Sequence, residues 1–548
     1  MRLALAQLNY IIGDFEINVD LIKQSIAKAK EAKVDLLIFA ELNICAYPPQ
    51  DFVEFDDFVK KCHSAAEEIA KECQGIAAIV GLPVRNKKIE GKNLYNAAFL
   101  LQDGKICDEV HKSLLPTYDI FDEYRYFEPE RSFHCINFKG VKIALTICED
   151  LWNEEEDPMY IISPMDTLIN EDPKLMINIA ASPFDYLHAE SRKAILKRNT
   201  LAYKLPLLYV NHVGAQTELI FDGGSLAMDA KGNIIQELDY FTEDFAVFDF
   251  NETTSELTSL ERNAKLKNNT DSIALIHDAL ILGIKDYFGK QNFKKAILGL
   301  SGGIDSALVT YLASAALEPE NVHTILMPSE FSSKGSIDDS LELTKTLGVS
   351  HDIIPIKDLF NQYLNSLKPI FKDLPFGVAE ENIQARIRGG LLMAESNKFG
   401  SILLNTSNKS EIAVGYGTLY GDMCGGISVI GDIYKTQVYE LCRYINRHKE
   451  IIPENILTKP PSAELRPNQK DSDSLPDYET LDKILFNYIE KRKGPSDLIA
   501  MGFDATLVKR ILKMVNTNEY KRYQTPPILR VSPKAFGMGR RLPIVAKF

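Results

Sequence analysis

Ala296-Ile297-Leu298-Gly299-Leu300-Ser301-Gly302-Gly303-Ile304-Asp305-Ser306 sets an apolar run directly against a glycine-rich turn, and the periodicity behind the turn is helical through Ala316. A second apolar run follows from Val322 to Met327. Strand, turn, helix and strand make the unit of a parallel sheet, because parallel neighbours are joined by a crossover helix. The backbone N–H groups of such a turn and the positive end of the helix converge on one point, which suits a polyphosphate. Its glycines permit close approach of the backbone. The turn is not a Walker A loop, since no Gly-Lys-Ser/Thr follows, and it is not a GxGxxG dinucleotide fingerprint. A bare Ser-Gly-Gly turn is only a helix cap in most proteins. A strand before it and Asp305-Ser306 behind it point instead to phosphate binding.

Outward from this unit, the first half of the chain alternates short apolar runs with amphipathic stretches. Leu3 to Leu8 reads as a strand, Asn18 to Ala32 as a helix and Val34 to Ala40 as a buried strand. Further strands are expected at Ile76 to Gly81, Ala97 to Gln102, Val141 to Ile147, Met176 to Ala180 and Leu207 to Asn211. This mixture means layered α/β architecture. From Asn251 to Asn269 the chain turns polar and strand-poor, which suits a boundary, so domains are expected over 1–250 and 251–548. Lys459 to Tyr478 and Tyr520 to Phe548 are rich in Pro and polar or basic residues and read as loops over a site or an interface.

At 548 residues, with 45% hydrophobic and 25% charged content, the chain has the composition of globular protein and exceeds one ordinary core. The formal charge of -14 disfavours a nucleic-acid or anionic-lipid partner and means that any phosphate must be gripped locally. The eight cysteines form no CxxC pair and no zinc spacing. No apolar run reaches the roughly 18–20 residues that span a bilayer, and no signal peptide is recognisable, so a reducing cytoplasm is expected.

A second chemistry is legible in the first half. Glu41 follows the five apolar residues Leu36 to Ala40, and a buried carboxylate is costly without a partner. Cys148 ends the run Val141 to Ile147, and Lys112 precedes Ser113-Leu114-Leu115-Pro116. A cysteine at a strand end is more often inert core, and Lys112 alone is unremarkable. Together the three make an amide-hydrolysis set, with Cys148 as nucleophile, Glu41 as general base and acid, and Lys112 lowering the thiol pKa and supporting the oxyanion.

The strings Phe39-Ala40-Glu41-Leu42, His111-Lys112-Ser113-Leu114-Leu115-Pro116 and Ile147-Cys148-Glu149-Asp150-Leu151-Trp152 resemble the nitrilase superfamily. The Ser301 to Ser306 turn resembles the pyrophosphate loop of the ATP-pyrophosphatase family, which adenylates carboxylates. Glu381 to Arg388, Leu404 to Glu411, Tyr416 to Asp422, Lys435, Glu464-Leu465-Arg466-Pro467 and Lys521-Arg522 resemble, in order, the synthetase part of glutamine-dependent NAD synthetases. The likeness covers nearly the whole chain. It implies a nitrilase-like αββα sandwich joined to a doubly wound parallel sheet of the adenine nucleotide alpha hydrolase type.

The resemblance implies that Tyr118, Ser182 and His188 contact glutamine, His188 standing where relatives often place a more basic residue. It implies that Ser301, Gly302, Gly303, Ile304, Asp305, Ser306, Thr406 and Lys435 bind ATP. Asn382, Glu411 and Lys521 would line the deamido-NAD site, and Asp305 and Glu411 would hold Mg2+. Taken singly, these are ordinary caps, turn residues and solvated charges. The loop from Met327 to Ser333 looks like a second mobile loop of the family and carries no residue assignment. The implied activity is amidation of deamido-NAD with ammonia from glutamine passed internally between the sites, through an acyl-adenylate, by a homo-oligomer. A related amidotransferase with another acceptor, or a nucleotide sensor without catalysis, remains the alternative.

Overall fold

Arg2–Gln7 is the strand about which the first half is organised, and its side chains are buried from Leu3 onward. Successive side chains of a strand point to opposite faces. Accordingly Ala4 and Ala6 join one core cluster, and Leu3 and Leu5 join another. In this computed structural model the described residues are 1–88, 90–153, 158–261, 271–467 and 469–546.

A seven-stranded sheet runs in the spatial order Glu256–Ser259, Asp244–Asn251, Arg2–Gln7, Leu36–Ile38, Ala77–Arg85, Leu94–Gln102, Lys105–His111. Its three central strands are parallel and the flanking pairs antiparallel. A six-stranded sheet runs Ile234–Glu237, Leu226–Met228, Leu207–Val210, Leu175–Ile179, Val141–Ile147, Ile136–Phe138. Leu3, Leu5, Ile38 and Ile79 of the first sheet share a core with Ile143, Leu145, Ile177 and Leu208 of the second, so the two sheets pack face to face. Helices Phe15–Glu31 and Asp56–Glu72 cover the other face of the first sheet through Val19, Ile22, Ile26, Val59 and Ile69. Helices Pro164–Leu168 and His188–Tyr203 bring Met165, Leu168 and Leu196 to the second. The result is the expected helix–sheet–sheet–helix sandwich.

The expected strands at Ile76 to Gly81 and Ala97 to Gln102 extend to Ala77–Arg85 and Leu94–Gln102, whereas one is much shorter than the apolar run that signalled it. Val34 to Ala40 holds only the strand Leu36–Ile38, and Glu41 lies in the following turn, beside Leu42 at φ 47°. An apolar run records burial, and the turn is buried too.

The second half carries five parallel strands in the order Ser350–Ile353, Val322–Leu326, Lys295–Gly299, Ser401–Asn405, Ile427–Ser428. The chain starts at the centre, grows to one side, then returns to grow on the other. With right-handed crossovers that reversal puts helices on both faces and opens a crevice at the carboxyl ends of Lys295–Gly299 and Ser401–Asn405. Residues 300–306 and Thr406 follow these two strands directly.

The chain divides into two compact units, Met1–Thr270 and Asp271–Phe548. Residues 251–259, read from composition as the opening of the second domain, belong to the first, because Glu256–Ser259 pairs with Asp244–Asn251 along its sheet edge. Of the polar boundary segment, 262–270 lie outside the described residues, as do Asn468 and residues 547–548 of the two loop-rich segments.

Candidate active sites

The first site gathers where the two sheets of the sandwich end. Lys112 follows the edge strand Lys105–His111 and is fully buried, as is Glu41. Lys112 Nζ donates to Glu41 Oε1 at 2.7 Å and to Glu123 Oε1 at 2.8 Å. Asn96 Nδ2 also donates to Glu41 Oε1, at 2.7 Å, and the Ala181 N–H donates to Oε2 at 3.0 Å. Glu123 accepts a further bond from the Tyr47 hydroxyl at 3.0 Å. Burial opposes the charge on Lys112, but Glu123 and Glu41 together outweigh it and hold its pKa well above the ordinary value.

Cys148 opens the 3-10 turn Cys148–Leu151 with φ 44°, a strained conformation for a residue with a side chain, and is 6% exposed. Burial and the Glu41 carboxylate push its thiol pKa well up; Lys112 pulls it down without winning. Lys112 thus acts on the thiol in the expected direction, but burial and Glu41 outweigh it. The resting sulfur is a thiol, and its proton needs a base when substrate arrives.

Tyr118 and Tyr160 donate their hydroxyls to Glu149 Oε1, both at 3.0 Å, and burial raises the pKa of that carboxyl. Ser182 Oγ lies 2.7 Å from His188 Nε2, and His188 stacks on Trp152 with ring centroids 5.2 Å apart. The structure thus brings Ser182 and His188 together and sets Tyr118 on Glu149. Sequence reading missed Glu123, Asn96 and Glu149. A buried glutamate needs partners, so the clue to Glu149 was its place beside Cys148; Glu123 and Asn96 carry no local signal.

The second site is a cavity of about 310 Å³ at the crevice of the parallel sheet. Ser301, Gly303, Ile304, Asp305, Thr406, Glu411 and Lys435 line it; Gly302 and Ser306 shape the turn from behind. Gly302 has φ 76°, and a Cβ there would stand 2.3 Å from the Ser336 carbonyl oxygen, so only glycine fits. Ser306 Oγ sits 3.1 Å from Ser301 Oγ and accepts from the Ser301 N–H at 3.3 Å. Asp305 is held from two directions: Asn408 Nδ2 donates to Oδ1 at 3.0 Å, and Lys435 Nζ donates to Oδ2. Lys435 also lies 3.8 Å from Glu411, whose pKa burial and Asp305 push up to about 8.

Among the described residues no group of three His, Cys, Asp or Glu side chains forms a ready-made metal cage. Asp305 and Glu411 nevertheless suit a hard divalent cation, being carboxylates on one cavity wall, with the charge on Glu411 opposed by burial and by Asp305. Asn382 and Lys521 do not line the cavity. Asn382 Oδ1 accepts from Thr418 Oγ1 at 2.7 Å, and Lys521 Nζ donates to the Gly415 and Gly417 carbonyls at 2.7 and 2.8 Å, so both brace the 415–422 loop. Residues left without a role by the sequence do line it: Met327, Pro328 and Ser332, with Arg388, Lys459 and Glu464. Burial lowers the pKa of Arg388 to about 10.

Two family models match the chain, Carbon-nitrogen hydrolase over residues 2–258 and NAD synthase over residues 276–525. The glutamine-dependent NAD(+) synthetase of Synechocystis sp. is 45% identical over 553 residues, covering 100% of this chain and 99% of that protein. That of Thermotoga maritima is 40% identical over 100% of this chain and 99% of its own. Among solved structures, a glutamine-dependent NAD+ synthetase from Acinetobacter baumannii in complex with ADP superposes with TM-score 0.78 at 35% identity, over 99% of this chain and 98% of that one. A second, from Cytophaga hutchinsonii, gives TM-score 0.82 over 100% and 98% at 21% identity, a likeness of fold alone.

Proposed function

The chain belongs to the glutamine-dependent NAD(+) synthetases, ligases that amidate deamido-NAD at the expense of ATP, and we propose that it does so through the residues placed above. The observation that carries the glutaminase half is the fully buried Glu41–Lys112 pair in the electrostatic reach of Cys148.

Glutamine enters with its side-chain amide over Cys148, near Tyr118, Ser182 and His188. Glu41 takes the thiol proton as Sγ attacks the amide carbon, and the Lys112 ammonium faces the oxyanion that forms. Glu41 returns the proton to the departing nitrogen, leaving a Cys148 thioester and ammonia. It then deprotonates the water that cleaves the thioester to glutamate, and the thiol is restored.

In the second unit the nicotinate carboxylate of deamido-NAD attacks the α-phosphorus of ATP, releasing pyrophosphate. Ammonia adds to the acyl-adenylate and AMP departs, leaving NAD. Ser301 and the N–H groups of the turn hold the departing pyrophosphate, Ser306 bracing Ser301 from behind, with Lys435 and Thr406 on the ATP. Glu411 serves the dinucleotide from the cavity wall, and Asn382 and Lys521 serve it through the 415–422 loop that they brace. Mg2+ bound by Asp305 and Glu411 would neutralise charge on the phosphates.

Eight free cysteines support a reducing cytoplasm, and no helix among the described residues is long and apolar enough to cross a membrane. The exposed apolar side chains Ile370, Leu374 and Val378 support self-association through the second unit.

The test is NAD formation from ATP, Mg2+ and deamido-NAD, with glutamine in one tube and ammonium in another. NAD in both supports both halves. Activity with ammonium alone removes the Cys148 assignment, and silence in both removes deamido-NAD as acceptor.

A further inference from the structure

We propose that Asp150 is a positioning residue for the glutaminase reaction, its one carboxylate fastening the loop that carries Lys112 to the turn that carries Cys148. The proposal rests on the roles given to those two residues above. Asp150 Oδ1 accepts the N–H groups of Ser113 at 3.0 Å and Leu114 at 2.8 Å, the two residues directly after Lys112. Its Oδ2 accepts the N–H of Ile147 at 3.0 Å, the residue directly before Cys148. Capping the short 3-10 turn needs only the bond to Ile147. The other two reach 36 and 37 positions back along the chain and do nothing for the cap.

The fastening answers a geometrical need. Lys112 leaves the edge strand of one sheet and Cys148 leaves a strand of the other. Apolar packing between sheets is non-directional and does not fix their mutual position to a fraction of an ångström, whereas an oxyanion donor and a nucleophile must be registered that closely. Hydrogen bonds from a carboxylate to backbone N–H groups are directional and strong, and Asp150 is 4% exposed, so water does not compete for them. The strained φ of Cys148 adds to the demand, since such a conformation persists only where its surroundings over-determine it. Asn178 Nδ2, donating to the Cys148 carbonyl at 3.3 Å, holds the turn from its other side.

The test uses Asp150→Asn in the full chain, in which one acceptor oxygen becomes a donor facing the backbone N–H groups. We expect kcat for glutamine-driven NAD formation and for glutamate release to fall on the order of 100-fold. KM for glutamine should stay within about twofold, because the residues around the substrate's far end are untouched. Alkylation of Cys148 by iodoacetamide should rise with pH at higher pH than in the wild type, since Lys112 is no longer registered against the thiol. NAD formation from ammonium reports in the same sample that the second unit is intact. An unchanged kcat and alkylation profile, or a raised KM at constant kcat, overturns the proposal.

If Asp150→Asn does not fold, an amide-to-ester exchange at Leu114 removes one donor and leaves every side chain in place. A fall of about tenfold in the same kcat is expected, and no fall overturns the proposal. Absence of glutaminase activity in the wild type would instead refute the Cys148 reading, so the two failures are distinct.

Discussion

Lys112→Met removes a charge at nearly constant side-chain length, and its consequences can be worked from the contacts of the ammonium. Lys112 Nζ lies 2.7 Å from Glu41 and 2.8 Å from Glu123, with all three side chains at most 5% exposed. At an effective dielectric of about 20, each pair is worth roughly 6 kcal/mol of Coulomb attraction, most of it offset by desolvation. Removing one partner of a buried pair typically costs about 3–5 kcal/mol net. Here the loss should sit near about 3 kcal/mol, because Glu123 can take a proton: burial and Glu41 already raise its pKa against the pull of Lys112.

A carboxyl with a raised folded pKa contributes stability that is present at low pH and is lost as pH rises from its unfolded value. The variant's deficit should therefore be smaller near pH 5 than near pH 8. By thermal unfolding, the transition of the first unit should fall by roughly 6–12 °C at pH 8. Glutamine-driven NAD formation should fall on the order of 1000-fold, with ammonium-driven formation unchanged. The double variant Lys112→Met/Glu123→Gln should recover stability but no glutaminase. A glutamine-driven rate within tenfold of wild type, or an equal fall with ammonium, would refute the reasoning.

Asp305→Ala should abolish NAD formation from both nitrogen sources, read by a coupled dehydrogenase; retained synthesis would remove the metal and ATP roles of Asp305. Gly302→Ala forces a Cβ to within 2.3 Å of the Ser336 carbonyl at φ 76° and should cost at least about 2 kcal/mol in denaturant unfolding of the second unit, with loss of ammonium-driven synthesis. His188→Lys places a full positive charge beside the proposed glutamine site, where it can pair with the substrate's carboxylate, and should lower KM for glutamine at pH 8 several-fold, kcat changing little, as measured by steady-state glutamate release. Burial raises the Asp150 pKa from 3.8 to about 6, so the stability associated with it is present below about pH 4 and fades by pH 6. Asp150→Asn should flatten that part of the stability profile, amounting to about 3 kcal/mol, in urea titrations across pH 4 to 6.

By itself the sequence determined what depends on neighbours along the chain. The strand, turn and helix around Ser301 to Ser306 were legible because apolar periodicity and glycine placement are local signals. Glu41, Lys112 and Cys148 were legible because each stands at the end of an apolar run or in a recognisable string. The ends of Leu36–Ile38 and the pairing of Glu256–Ser259 were not, since a polar edge strand and a buried turn leave no periodic trace. Only the tertiary structure decided the partnerships. Glu123, Asn96 and Asp150 look in the sequence like solvated polar residues, and become buried acceptors and donors only when two sheets bring residues 41, 96, 112, 123, 150 and 181 together. The thiol pKa of Cys148 was decided there as well, because the balance between desolvation, Glu41 and Lys112 depends on depth and distance, quantities that no order of residues encodes directly.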